Sequence, residues 1–283
     1  MPAFSSDTEE QRYRKEHLVL VLRALHRAGL AEGVAGGRFP SRREETDVVS
    51  GHCSTRDPIK PDTFWVNSHG RSFARMRISD LVRVDSLTGK VVEGSLPVDA
   101  SATGIHAPIY RMRGRGPAQK GGSSQGVEAI VHVHGAHSKA FSALGRQLDR
   151  VNQDVCGFDG QVALVPFGGA VFDGVEGSRI AQHLGPNTKV ALLQNHGPVA
   201  LGRLSIDEAA WWQINFEMCC KAQLILDAAV GRSGSTLPTS VIAVGEEECE
   251  STKIEIGTSE MGWFAMGPYI QDELWEAKGS HLM

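Results

Sequence analysis

Three histidines form the strongest chemical signal in the sequence. His132 and His134 lie one residue apart at the end of a short apolar run, and His196 follows a second apolar run. Because side chains alternate along a strand, His132 and His134 project from the same face of the predicted strand. Three neutral imidazoles that converge from two strand ends can bind one divalent metal ion and leave positions open for water or substrate.

Spacing alone leaves another interpretation open. A His-x-His pair can be two polar residues at a sheet edge, and the Asn-His-Gly sequence around His196 can be only a turn. His52 and His69 lie in predicted turns, where we expect a structural role more than a binding role. His137 follows the central strand and is expected to face solvent or to contact His134 from outside the ligand set.

Regular elements of both kinds surround these histidines. The apolar spacing predicts an amphipathic helix near the start of the chain. It also predicts a long helix that begins at its cap, Ser205, ends at residue 230 and is apolar nearly all round. Turn residues predict an antiparallel hairpin. The predicted helices are 9–31, 102–113, 136–148, 176–184 and 205–230, and the predicted strands are 63–67, 78–85, 90–93, 127–134, 161–166, 190–194 and 198–202.

Four segments have a less regular pattern. Residues 33–45 are expected to form a loop, 47–56 a strand followed by a polar turn, and 114–126 a surface insertion. The last forty-odd residues show little periodicity. We expect them to pack on the domain or on a neighbouring subunit through four aromatic residues, Trp263, Phe264, Tyr269 and Trp275.

Composition excludes several classes of protein. With 283 residues, 41% of them hydrophobic, and a formal charge of −4, the chain has no basic surface for nucleic acid. The first apolar stretch is interrupted by charges, so it predicts neither a signal peptide nor a membrane span, and a cytoplasmic location is expected. Five cysteines without a C-x-x-C pair indicate reduced, mostly buried thiols.

Six short motifs in collinear order give the sequence a family resemblance. They are SGHCSTR at 50–56, WVNSHG at 65–70, SDLVRVD at 79–85, IHAPIY at 105–110, HVH at 132–134 and LQNHG at 193–197. Each motif alone is weak, but the set resembles the class II aldolase/adducin family over residues 15–230. The resemblance favours the metal-binding interpretation of the three histidines.

This resemblance implies an α/β protein with a three-layer αβα fold around a mostly antiparallel central sheet, in a homotetramer. It implies a flexible N-terminus at 1–14, an aldolase-like domain at 15–231 and an extension at 232–283. By the same resemblance, His132, His134 and His196 would bind a divalent metal. Loops carrying Gly51, Ser54, Ser68 and Gly70 would hold the anionic end of a small carboxylated substrate.

One position departs from the family pattern. Aldolases of this family carry an acid/base glutamate four residues before the histidine that corresponds to His106, and Ala102 stands there in this chain. An alanine cannot transfer a proton. The sequence offers Asp99 as the nearest carboxylate that a lyase could have recruited instead.

The resemblance therefore leaves three functions open. The leading one is a non-haem iron oxygenase similar to those of aminocoumarin antibiotic pathways, which convert a prenylated 4-hydroxyphenylpyruvate through a mandelate to a benzoate. It would use Fe(II) and O2, with His106 and Tyr110, one turn apart on a helix, near the substrate. The alternatives are a Zn(II) or Mn(II) decarboxylase or aldolase, and a non-catalytic adducin-like assembly protein.

Overall fold

The computed structural model describes residues 1–31, 51–115, 126–169, 174–232 and 234–283. The expected loop at 33–45, the first four residues of the expected strand at 47–56 and most of the insertion expected at 114–126 lie outside these ranges. No described helix is long and apolar enough to cross a membrane.

Eight α-helices and eight β-strands make up the described part of the chain. The helices are α1 Asp7–Arg27, α2 Ala100–Arg113, α3 Ala136–Ser142, α4 Gln153–Cys156, α5 Gly174–His183, α6 Ile206–Ala229, α7 Glu246–Ile256 and α8 Ser259–Ala277. The strands are β1 His52–Arg56, β2 Thr63–Asn67, β3 Leu81–Asp85, β4 Val91–Glu93, β5 Ala129–His132, β6 Val162–Val165, β7 Val190–Leu193 and β8 Gly197–Gly202.

All eight strands join one sheet in the order β4-β3-β2-β1-β5-β8-β7-β6. Only β6 and β7 pair in parallel, and the other described pairs are antiparallel. The expected mostly antiparallel sheet is confirmed, although the sheet is mixed. The central strand β5 lies between β1 and β8, so residues from both neighbours can reach the end of β5 where His132 lies.

Alternation along the strands divides the apolar residues into two clusters. Val131 of β5 packs in one cluster with residues of α1, α3, α6 and α8. Ile130 packs in the other, with residues of α2 and α5. His132 has the parity of Ile130, so its side chain leaves the sheet toward the face that α2 covers.

Strand β1 lies where the sequence predicted a polar turn. His52, Ser54 and Arg56 are all buried in this strand, between two neighbours in the middle of the sheet. The prediction was wrong because these polar side chains bond to partners that are distant in sequence, which local turn preferences do not reveal. Ser54, for example, contacts a helix fifty residues away.

Both ends of the chain differ from the prediction. Helix α1 begins at Asp7, inside the segment expected to be flexible, and Arg14 is buried with its guanidinium 2.9 Å from Glu128. The last fifty residues form α7 and α8, not a tail without periodicity, and Met266 and Ile270 of α8 join the cluster under α6. The expected domain limits stay a prediction.

Three further sequence predictions concern the cap of α6, the end of α3 and the cysteines. Ser205 caps α6, its hydroxyl accepting from the Glu208 amide at 3.2 Å, as expected. Helix α3 ends at Ser142, earlier than the predicted 148, and Gly145 in the following turn has a positive φ of 60°. All five cysteines are buried, as expected, and none is paired in a disulfide, while the reduced state stays a prediction.

Candidate metal centre

The structure brings His132, His134 and His196 together at one point beside the sheet. His132 ends β5, and His196 lies in the tight turn from β7 to β8, which then returns beside β5. Asn195 has a positive φ of 58° in that turn. The ring centroids lie 4.7 to 4.9 Å apart, and one ligand nitrogen of each ring lies within 4.8 Å of the other two.

The orientation of His132 suits a metal ligand. Its Nδ1 donates to the Pro198 carbonyl at 2.8 Å, so the Nε2 of the neutral ring carries the free lone pair. That Nε2 lies 3.0 Å from the Nε2 of His134. Ligand nitrogens around a tetrahedral ion with bonds of about 2.0–2.1 Å lie about 3.3 Å apart, so this pair of nitrogens needs little change to hold an ion.

Burial keeps these imidazoles neutral. Desolvation, followed by the nearby His196 and Lys139, lowers the pKa of His134 to about 4. Burial also lowers the pKa of His132, with the neighbouring histidines adding to the effect, and it lowers the pKa of His196. Neutral imidazoles present lone pairs at pH 7, and three of them without a carboxylate suit a divalent transition metal. The donor set therefore fits such an ion.

Helix α6 holds the segment that carries His134. Gln213 donates to the Val133 carbonyl at 3.2 Å, one residue before His134. Glu217 accepts from the amides of His137 and Ser138, each at 2.8 Å, and so caps α3. A Cβ on Gly135 would lie 2.2 Å from the Glu217 carboxylate, so this contact requires glycine there.

His137 therefore has a partner, since its Nδ1 lies 2.8 Å from Glu217. The His137 side chain is 40% exposed, in agreement with the expected solvent-facing position, and the contact with Glu217 adds to it. The sequence offered no signal for Glu217, because the residue lies eighty positions after the strand it supports.

His106 and Tyr110 share one face of α2, as predicted, but their polar groups meet Ser54. The hydroxyl of Ser54 lies 2.6 Å from Nδ1 of His106 and 2.8 Å from the Tyr110 hydroxyl. The other ring nitrogen of His106 lies 2.7 Å from Nδ1 of His52. His52 thus lies between His106 and the three histidines, with its ring 4.9 Å from that of His132.

His52 is the residue that the sequence reasoning undervalued. It pairs directly with His132 across β1 and β5, and desolvation by burial, followed by neighbouring histidines, lowers its pKa well below the usual value. Its alternation with Ser54 places both side chains on one strand face. The sequence shows this alternation, but it does not show that β1 pairs with β5.

The four residues expected on substrate loops occupy different surroundings. Gly51 has a φ of 134°, and a Cβ there would lie 3.0 Å from Val133 and 3.2 Å from the His132 carbonyl. Ser54 departs from the expectation, because it lies in β1, is fully buried and bonds to α2. Ser68 follows β2 and is buried, and its hydroxyl has no partner within the described ranges. Gly70 is exposed in a turn with a φ of 77°.

The missing glutamate leaves an apolar position. Ala102 is 1% exposed and packs in the cluster of α2 and α5. Asp99 caps α2, accepting from the amide and the hydroxyl of Ser101 at 2.7 and 2.5 Å, and also contacts His69 at 3.1 Å. Asp99 is therefore engaged at the start of the helix.

Comparison with known proteins agrees with this geometry. The model of the family described as Class II Aldolase and Adducin N-terminal domain matches residues 16–224. The chain belongs to this family. A solved structure of L-fuculose 1-phosphate aldolase from Glaciozyma antarctica PI12 has a TM-score of 0.79 and 31% identity, covering 100% of this chain and 97% of that one.

Two curated relatives match this family member along nearly its whole length. Decarboxylase NovR of Streptomyces niveus is 32% identical over 94% of this chain and 86% of its own. The 4-hydroxy-3-prenylphenylpyruvate oxygenase/4-hydroxy-3-prenylbenzoate synthase of Streptomyces roseochromogenus subsp. oscitans is 31% identical over 94% and 84%. Gamma-adducin of Rattus norvegicus is 29% identical, but the match spans 65% of this chain and 24% of the adducin. The chain is an enzyme of the class II aldolase family.

Proposed function

We propose that this enzyme is a non-haem Fe(II) oxygenase that decarboxylates a small aromatic 2-oxo or 2-hydroxy acid oxidatively. One observation carries the proposal: the three histidines form a complete ligand cluster, while Ala102 occupies the position of the family's acid/base glutamate. The relative named as an oxygenase and benzoate synthase supports the substrate class.

The three histidines would hold the metal and leave its remaining coordination positions open. Fe(II) bound there would supply electrons to O2 and a positive charge for the substrate carboxylate. The chain fixes the ligands: the Pro198 carbonyl orients His132, and Gln213 and Glu217 hold the backbone on both sides of His134. Such outer contacts set the tautomer and direction of a ligand.

The proposed reaction balances in two oxidative steps. In the first, a 4-hydroxyphenylpyruvate-like acid and O2 give a mandelate and CO2. In the second, the mandelate and another O2 give a benzoate, CO2 and water. Each step breaks the bond between the carboxyl carbon and its neighbour, and one C–H bond on the carbon next to the ring. The first step replaces that hydrogen by a hydroxyl group, and in the second the hydrogen removed is balanced by the water released. Neither step moves a proton to or from carbon through a carboxylate at position 102.

A Zn(II) or Mn(II) lyase is the second candidate. The similarity to a solved aldolase at 31% identity favours it. Ala102 argues against it, because an alanine cannot act as the acid/base. Asp99, the nearest carboxylate, is engaged by three contacts as the cap of α2. An aldolase or decarboxylase would have to take its acid/base from elsewhere. An adducin-like assembly role is the third candidate, and the intact histidine cluster argues against it.

The test begins with metal analysis of protein purified without added metal. The protein is then loaded with Fe(II), Zn(II) or Mn(II) and given 4-hydroxyphenylpyruvate or 4-hydroxymandelate. We expect O2 uptake and benzoate formation with Fe(II) alone. Anaerobic release of CO2 or an aldehyde with Zn(II) or Mn(II) would overturn the oxygenase in favour of the lyase. Protein that binds no metal and shows no turnover would favour the adducin-like assembly role.

His134→Ala provides the matched variant. We expect it to lose bound metal and turnover while its circular dichroism spectrum stays unchanged. His26→Ala is the control, because it removes an exposed imidazole at the end of α1, away from the cluster and from Glu217. Full activity in His134→Ala would refute the metal site.

We further propose that the chain forms the homotetramer of its family, with the three-layer αβα arrangement in each subunit. Large apolar side chains remain exposed on α8, with Phe264 at 69% and Trp275 at 79%. Burial of such side chains between subunits is favourable. Light scattering after size exclusion should give four times 30.5 kDa, and a monomer mass would refute the assembly.

A further inference from the structure

A continuous row of hydrogen-bonded side chains runs from Tyr110, in α2, to strand β1 and back to the N-terminal end of α2. It links the hydroxyl of Tyr110 to Ser54, His106, His52 and Ser101, and it ends at Asp99. The links measure 2.8, 2.6, 2.7, 3.3 and 2.5 Å in that order. Three of the six side chains belong to α2, and a fourth, Asp99, is its N-cap.

The carboxylate end sets the direction of the first links. A carboxylate only accepts, so the Ser101 hydroxyl donates its single hydrogen to Asp99. Ser101 must then accept from Nε2–H of His52. A second hydrogen, on Nδ1, would make His52 a cation that is only 3% exposed and has no carboxylate in direct contact among the described contacts, so Nδ1 carries no hydrogen and accepts from His106 at 2.7 Å.

The same reasoning continues to the far end. His106 donates from Nε2, and since burial keeps it neutral as well, its Nδ1 accepts from the Ser54 hydroxyl. Ser54 has then used its hydrogen and accepts from Tyr110. Burial raises the pKa of Tyr110, which keeps the phenol protonated as the donor that the row needs. Every link therefore has one donor and one acceptor in a single direction.

The consequence concerns the proposed metal. Both ring nitrogens of His52 are engaged, one donating to Ser101 and the other accepting from His106, although the ring lies 4.9 Å from that of His132. A histidine without a free lone pair cannot bind a metal.

We infer that the row from Tyr110 to Asp99 fixes His52 as its Nε2–H tautomer and so keeps this fourth histidine out of the coordination shell of the metal. His52 is thus held by this row and is not a metal ligand. Its role leaves three protein ligands and open positions for O2 and substrate. The inference rests on the proposed metal site but concerns residues outside it.

The test uses protein with ¹⁵N-labelled histidine, loaded with ¹¹³Cd²⁺ in place of the native metal. Spin coupling between cadmium and nitrogen identifies each bound imidazole. We expect three coupled histidines in the native sequence, His132, His134 and His196, and His52 uncoupled with its hydrogen on Nε2. Ser101→Ala removes the acceptor for that hydrogen while keeping the helix cap from Asp99 to the backbone, and should raise the number of coupled histidines to four.

Thr103→Ala is the matched control, because the Thr103 hydroxyl bonds only to the backbone of its own helix among the contacts described. It should leave three coupled histidines. Four coupled histidines in the native sequence, or an unchanged His52 in Ser101→Ala, would overturn the inference. Protein that binds no cadmium would instead refute the metal site and the inference with it.

A second pair of variants keeps the inference testable if Ser101→Ala does not fold. Ser54→Ala breaks the row at its centre and should let the ¹⁵N signals of His52 and His106 show mixed tautomers without any metal. Ser54→Thr retains the hydroxyl and should restore the single tautomer. Equal spectra for all three proteins, or a His52 hydrogen on Nδ1 in the native sequence, would contradict the assigned direction.

Discussion

At the scale of single residues, the geometry of the ligands depends on groups that do not touch the metal. Glu217 caps α3 through two amides directly after the strand with His134. The variant Glu217→Gln keeps the shape of the side chain but replaces one carboxylate oxygen by an NH2 group. That group donates, so the side chain can no longer accept from both backbone amides with separate oxygens. We expect metal affinity to fall about 10- to 100-fold, the range for lost outer contacts.

Competition with a chromophoric chelator measures that affinity. Glu247→Gln, at an exposed position of α7, is the control and should bind metal like the native protein. Equal affinity in the two variants would show that Glu217 supports only the helix.

Gly51 permits the close approach of β1 to the backbone of His132. In Gly51→Ala, the methyl group would meet Val133 and the His132 carbonyl, and the φ of 134° would be strained. We expect a loss of about 1–3 kcal/mol in stability and weaker metal binding, because His132 must shift. Gly70→Ala should cost about 1–2 kcal/mol from its positive φ and leave metal binding unchanged, since nothing lies near its Cβ. Urea unfolding and metal titration would separate the two.

The sequence could predict which histidines meet but not what surrounds them. Spacing alone left the metal site open, and the family resemblance favoured the set of three histidines. The predicted strand at 127–134 ends earlier, at His132, so His134 lies just beyond β5. The contacts of His52 depend on β1 lying beside β5, and no local pattern encodes that pairing. Ser54 shows the same limit, because its partners on α2 are more than fifty residues away.

At the scale of elements, α2 and α5 pack so closely that a side chain at Gly177 has no room. A Cβ there would lie 1.8 Å from the carbonyl oxygen of Gly104 and 2.9 Å from Pro108. Backbone cannot yield as a flexible side chain can, so Gly177→Ala must separate the helices. We expect a loss of about 1–3 kcal/mol or more in unfolding free energy.

Gly267→Ala is the control for that variant. Gly267 lies within α8 and a Cβ there would meet nothing within 4 Å, so the change should be neutral or stabilise by about 0.4–1 kcal/mol. Thermal unfolding of both variants measures the difference. If Gly177→Ala melts with the native protein, the helices are not in this close contact.

Helix α8 shows why one element was missed. Its buried residues Gly262, Met266, Ile270, Glu273 and Ala277 recur every three or four positions, as in any amphipathic helix. Phe264 and Trp275 on other faces are exposed and obscure this pattern. Helix α6, by contrast, was predicted as apolar nearly all round. Its first half is buried between the sheet and α8, but Met218 and Ile225 further along are exposed.

At the scale of the whole molecule, Lys189 connects the sheet to the C-terminal helices. It precedes β7, and its ammonium group donates to the carbonyl of Gly157 at 2.5 Å and lies 4.2 Å from the Trp212 ring centre. A Cβ on Gly257, between α7 and α8, would lie 2.9 Å from the same nitrogen. Lys189 is therefore buried where α4, α6 and the C-terminal helices meet.

This burial makes stability depend on pH in a definite direction. Desolvation lowers the pKa of Lys189 from 10.5 to about 7, so above pH 7 the unfolded chain binds a proton that the folded chain does not. Stability should therefore rise with pH between about 7 and 10, with a slope of up to about 1.4 kcal/mol per pH unit from this residue.

Lys189→Met removes that slope, so the stability of the native protein relative to Lys189→Met should increase from pH 7 to pH 9. Lys221→Met, at an exposed position of α6, should keep the native slope. Urea unfolding at the two pH values tests this, and parallel curves for the native protein and Lys189→Met would show that the lysine stays charged at the junction.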